Sequence, residues 1–168
     1  MDKDEFKKLL FKVAFCTMAC DGHIDDREVE EMKIMDKSTS YFESIDLSEE
    51  LEILLADLGS KGIKVIDELF TTLRETKLNI IQELLVLEVA LRIIYADEKY
   101  DDNEIHFLKF LRSKLELHDE TIVDRFGVID ILKTSDYIQN YKIEDSDEKI
   151  IARIKLPDLE ELKEIKLK

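Results

Sequence analysis

Eight consecutive residues, Asp21-Gly22-His23-Ile24-Asp25-Asp26-Arg27-Glu28, place four carboxylates within one short span. Side chains of this type are the oxygen ligands that calcium and magnesium take. The run has an echo 76 positions on, Asp97-Glu98-Lys99-Tyr100-Asp101-Asp102-Asn103-Glu104. The register holds outside the acids. Leu9 matches Leu85, Val13 matches Val89, Ala14 matches Ala90 and Lys33 matches Lys109. Apolar residues also meet at Phe15 and Leu91, Met18 and Ile94, Val29 and Ile105, and Met32 and Leu108. The simplest account is an internal duplication of a helix–acidic turn–helix unit.

Two chemistries compete for these turns. Asp25 with Glu28, and Asp101 with Glu104, have the spacing of a capping box, and acids in a first helical turn suit the helix dipole. Capping does not account for Asp21 and Asp97. Each follows a predicted helix, beside carbonyl oxygens that already carry partial negative charge, so a carboxylate there opposes the dipole. A hard divalent cation would relieve the repulsion.

The elements that position the turns follow from apolar spacing. Phe6, Leu9, Leu10, Val13, Cys16, Thr17 and Cys20 predict a helix over 4–20, stopped by Asp21-Gly22. A second is predicted from Asp25 to about Lys37, with Ile24 and Val29 as a hydrophobic staple, followed by a linker over 38–46. Leu47, Leu51, Leu54, Leu55 and Leu58 predict a helix closed by Gly59, and Ile63, Ile66, Leu69, Phe70 and Leu73 another ending near Lys77. Asn79 with Gln82 caps the most apolar stretch, 80–96, expected to be the central and most buried helix. Tyr100, Asp101, Glu104 and Ile105 repeat the staple and box. A helix carrying Ile105, Leu108, Leu111 and Leu115 comes next, and a short one from Asp119 to Gly127.

Beyond Gly127 the pattern is ambiguous. Residues 129–141 read as helix. Residues 150–156 alternate as a strand of a short β-hairpin, with a turn at Glu144-Asp145-Ser146-Asp147, although Ile150, Ile151 and Ile154 also share a helical face. Pro157 breaks either form, and Leu159, Leu162 and Ile165 fit a last helical turn or two. The expected fold is therefore an all-α helical bundle with an internal pseudo-repeat. Residues 1–128 form the main domain, and 129–168 an extension packed on it.

Composition narrows the function. Forty acidic against twenty-five basic residues give the 168-residue chain a formal charge of -15, which repels nucleic acid and anionic lipid and favours cations or a basic protein partner. The opening residues are charged with no apolar run behind them, so no secretory leader is read. Residues 78–96 are interrupted by Asn79, Gln82, Glu83, Glu88 and Arg92 and make no membrane span. Two cysteines make no disulfide framework. The expectation is a soluble cytoplasmic protein.

The segment from Asp21 to Glu28 matches the second half of an EF-hand loop, but Thr17 and Ala19 occupy the places of the first two carboxylate ligands, and the second copy has Ile93 and Tyr95 there. The chain is not an EF-hand. A helix ending in Asp-Gly, then Ile, then Glu four residues later, followed by an apolar helix ending in a second such turn, resembles the TerB-like (tellurite resistance protein B) domain family. The resemblance covers about residues 6–127. It implies a bacterial helical bundle linked to tellurite resistance, stress and phage defence, with acidic clusters as metal sites. It carries Asp21 and Glu28 over from the first copy and Asp97 and Glu104 from the second, with Asp25 and Asp101 as their neighbours. The second copy departs from the pattern, with Glu98 for glycine and Tyr100 for isoleucine.

Other constellations carry less. Cys16, Cys20 and His23 fall at helical spacing, but the cysteines lie on the apolar stripe and read as core thiols. His106 and His118 read as surface or packing residues. Glu-x-x-His, glycine-rich phosphate loops, Gly-x-Ser-x-Gly and Cys-x-x-Cys are all absent from the sequence. The expected function is a non-enzymatic, TerB-like module that binds calcium, magnesium or manganese. The alternatives are a metal-free acidic scaffold for a basic partner and, ranked last, a metal-dependent hydrolase, for which no nucleophile or substrate pocket is recognisable.

Overall fold

The computed structural model describes residues 1–97, 101–132 and 151–167. Their regular structure consists of α1 (Lys3–Ala19), α2 (Asp26–Ser38), α3 (Leu47–Lys61), α4 (Lys64–Glu75), α5 (Ile80–Ala96), α6 (Asp102–Ser113), α7 (Asp119–Phe126) and α8 (Leu159–Lys163), with a 3-10 turn at Asp130–Leu132. No strand occurs among the described residues, and the fold is an all-α bundle. Glu98, Tyr100, the turn at 144–147 and most of the helix expected over 129–141 lie outside them.

Local chemistry explains most boundaries. Asp2 with Glu5, Asn79 with Gln82, and Asp101 with Glu104 form capping boxes at the starts of α1, α5 and α6. Asp46 caps α3 by accepting from the Ser48 and Glu49 backbones. Gly59 does not close α3 as expected. It lies inside the helix, and the stop comes at Gly62, whose backbone takes φ +59° and whose N–H donates to Leu58 O at 2.9 Å. A positive φ ends a helix far more readily than glycine alone does.

The duplication is visible in three dimensions. The first helices of the two repeats, α1 and α5, pack along each other, α2 packs on α5, and α6 packs on α5 and α1. The matched pairs Val13 and Val89, Ala14 and Ala90, Met18 and Ile94, and Met32 and Leu108 are all buried. The same core extends between α4 and α6, where the Phe70 ring stands 5.4 Å from Phe107 and 4.5 Å from Phe110.

One packing expectation is corrected. The most buried helix is α1, not α5. Residues 13–19 of α1 are buried without a break, whereas Ile80 and Ile81 at the start of α5 are 63% and 71% exposed. The reason lies in neighbours: α1 is flanked by α2, α3, α4, α5 and α6, but α5 chiefly by α1, α2 and α6. The outer face of α5 is closed by polar contacts instead. Glu88 accepts from the Tyr41 hydroxyl and pairs with Arg125, and Arg92 pairs with Glu31 at 2.8 Å while lying over the Tyr41 ring.

Of the two readings open for 150–156, the strand is not the one taken by the described residues 151–156. Residues 151–156 turn rather than extend, with Ile154 N–H donating to Ile151 O at 3.0 Å. Their only ladder contact among the described residues is an isolated parallel bridge between Lys155 and Asp21. The aliphatic side chains are instead used in packing: Ile151, Leu162 and Leu167 are buried, and Ile154 and Leu156 are half-buried against the core. No helix among the described residues is long and apolar enough to cross a membrane.

Gly59 provides a direct check. A Cβ there would meet only Leu159 Cδ1, at an ordinary 3.6 Å. Gly59→Ala is expected to raise stability by about 1 kcal/mol in urea unfolding, through helix propensity. Gly62→Ala should lower it, because alanine resists the positive φ. Equal effects at the two positions would contradict the boundary.

Candidate metal centre

The helix ends bring the two acidic turns together. Asp21 follows the C-terminus of α1, its Oδ1 accepting from the His23 backbone at 3.0 Å, and Gly22 turns the chain at φ +82°. Asp101 is the N-cap of α6 and Glu104 lies in its first turn. Carboxylate oxygens of Asp21, Asp101 and Glu104 all lie within 4.8 Å of one another. Two oxygens bound to one calcium at 2.3–2.6 Å can be no more than about 5 Å apart, so this spacing fits a shared ion.

Glu28 lies in the first turn of α2, and the charges of Glu104 and Asp21 act on it. It and Glu104 are equivalent positions of the repeat, and the structure treats them alike. Both are buried, at 3% and 4% exposure. Each turns toward its own N-cap backbone, Glu28 toward Asp25 N–H and Glu104 toward Asp101 N–H at 3.5 Å. In each, Oε2 is buried with no hydrogen-bond partner among the described residues. A buried, unpartnered carboxylate oxygen is costly, and the same cost at both equivalent positions calls for a proton or a cation.

The capping box expected at Asp25 is only half formed. Asp25 caps α2, but its Oδ1 accepts from Arg27 N–H at 2.8 Å rather than from Glu28 N–H. Arg27 explains the difference. Its guanidinium pairs with Asp25 at 3.2 Å and reaches across to Asp97 of the other turn at 3.1 Å. The structure thus divides the six expected site residues. Asp21, Asp101 and Glu104 converge, Glu28 lies buried in the first turn of α2, and Asp25 and Asp97 are engaged by Arg27.

Charge crowding shows in the titration of the cluster. Burial, and then Glu104 and Asp21, push Glu28 up to about 9. Burial and Asp101 push Glu104 up to about 7. Burial and a side-chain hydrogen bond with Asp101 push Asp21 up to about 6. Asp25 is held below the usual carboxylate range by its bonds from Arg27.

Sequence reading gave no role to two residues that lie at the acidic turns, Arg27 and Lys155, and read Cys20 only as a core thiol. Arg27 aligns with Asn103 and is the one arginine within the two acidic runs, a signal visible in the sequence. Cys20 is a free, buried thiol beside the cluster, raised by burial and then by Asp21, Glu104, Asp101 and Glu28, while Cys16 lies in the core with its thiol pushed up to about 12. Lys155 touches the first turn from far along the chain. His23 does not face the cysteines; its Nδ1 lies 3.5 Å from Glu161.

In comparisons with known proteins, no family model, curated protein or solved structure matches this chain.

The cluster predicts an inverted pH dependence without added metal. Asp21, Glu104 and Glu28 keep their protons in the folded state to higher pH than in the unfolded chain. Their contribution is complete below the ordinary carboxyl range near pH 4 and is lost as pH rises through about 6, 7 and 9 in turn. Urea unfolding in chelator should show this stability falling toward pH 9, and Glu28→Gln should flatten the limb between pH 7 and 9. A limb that the substitution leaves unchanged would assign the slope to other groups.

Proposed function

We propose that this chain is a non-enzymatic TerB-like protein whose two acidic turns bind a divalent cation between them. It acts in the cytoplasm as an interaction module linked to stress or tellurite resistance. The ligands are Asp21, Glu28, Asp101 and Glu104, and the ion is calcium, magnesium or manganese, which take carboxylate oxygens. The observation that carries the reading is the matched pair of buried, unpartnered oxygens on Glu28 and Glu104. Their place near Asp21 and Asp101, whose carboxylate oxygens lie within 4.8 Å of each other and of Glu104, supports a cation over separate protons. The family reading rests on the repeated turn pattern. Asp25 and Asp97 are outside the ligand set because Arg27 already compensates them.

A metal-free acidic scaffold that docks a basic partner is the second reading. Arg27 favours it, as an internal example of a basic side chain spanning both turns.

Thermal unfolding of chelator-treated protein separates the two. A cation that binds only the folded state adds about 2.7 kcal/mol at a free concentration one hundred times its dissociation constant. Asp21→Asn should abolish most of that shift and leave the metal-free fold intact. Asp25→Ala should cost about 1 kcal/mol with or without metal, through the lost cap. A midpoint unmoved by all three ions, together with stabilisation by Asp21→Asn through relief of repulsion, would favour the scaffold.

A further inference from the structure

Asp21 belongs to two structures at once. Its carboxylate lies in the cluster with Asp101 and Glu104, and its backbone makes the isolated parallel bridge to Lys155. The approach is close. A Cβ on Gly22 would sit 3.3 Å from Lys155 Cβ and 3.4 Å from Lys155 O, so the glycine leaves room for the C-terminal segment as well as making the turn. One residue further on, His23 faces Glu161 at 3.5 Å. Three successive residues of the turn therefore contact the segment 151–167.

That segment is anchored independently of the acids. Leu162 is 1% exposed, Ile151 and Leu167 are buried, and α8 packs on α3. The anchors lie on the bundle and the contacts lie on the turn, so the segment works as a strap. The first turn needs such support more than the second. Asp101 is held as a helix N-cap in a complete capping box, whereas Asp21 follows a helix end and has no helix of its own to fix its backbone.

We propose that residues 151–167 are a positioning strap for the cation site: the Lys155 backbone fixes Asp21 in the ligand geometry, and ion binding and strap docking are coupled. This rests on the cation reading above. Coupling of two equilibria is reciprocal, so an ion that tightens the strap must bind more weakly, by the same factor, when the strap is loosened. Loss of the ion then frees the strap from the turn, and the state of the site is readable at the C-terminal segment.

Hydrogen exchange on the full chain tests this, with calcium, magnesium or manganese as the added ion. Saturating ion is expected to slow exchange of backbone amides in 153–156 about tenfold relative to chelator, and Asp21→Asn should remove that slowing. Leu162→Ala, and the milder Leu159→Ala on the half-buried neighbour, should loosen the strap. Each should weaken ion binding, Leu162→Ala more than Leu159→Ala, up to the factor by which the ion slows strap opening. A merely structural role would lower stability and leave the affinity unchanged. Ion binding with no change in exchange at 153–156, or with wild-type affinity in both leucine variants, overturns the strap and leaves the cation site standing. No ion binding at all overturns both.

Discussion

The structure turns on like charges confined where two duplicated hairpins meet. Asp21, Asp101 and Glu104 bring carboxylate oxygens within 4.8 Å of one another, and Glu28 and Glu104 are almost wholly buried. Burial and mutual repulsion act in the same direction on every one of the three raised groups. Ionised carboxylates in such a place cost free energy that only protons, a cation or a basic side chain can offset. Neighbouring features of the molecule, from Arg27 to the Cys20 thiol, are shaped by that constraint.

The duplication produces the confinement and then breaks its own symmetry. Packing α1 on α5 brings the two turns to one place, and the matched core positions Val13 and Val89, or Met32 and Leu108, show that the bundle treats the copies alike. The turns themselves diverge. In the second, Asp101 and Glu104 complete a capping box. In the first, Arg27 draws Asp25 away from the box and bridges to Asp97. Arg27 is well exposed, so its pairs contribute little to stability. Their consequence is local: Arg27 compensates Asp25 and Asp97 beside the convergent Asp21, Asp101 and Glu104.

The C-terminal segment completes the same site from a distance. Its aliphatic residues hold it on the bundle, and its backbone meets the turn at Asp21 and Gly22. Helix ends on opposite sides of the cluster are therefore fixed by different means, the α6 start by its own cap and the α1 end by a strap.

The sequence by itself determined the helices and the repeat. Apolar spacing at Leu9, Val13 and Leu87, and the cap pairs Asn79 with Gln82 and Asp101 with Glu104, act over three or four residues, and such short-range chemistry is legible without a fold. The density of acids in the two turns and the dipole opposing Asp21 were legible too, because both are local properties. What only the tertiary structure decided was which acids meet. Asp25 and Asp97 have the same residue type and nearly the same spacing as Asp21 and Asp101, and their separation depends on where the Arg27 side chain reaches. The stop at Gly62 rather than Gly59 was decided by backbone dihedral, and the greater burial of α1 by the number of helices around it. The meeting of Lys155 with Asp21 joins residues 134 positions apart, and no local pattern encodes a contact made through the packing of everything between them.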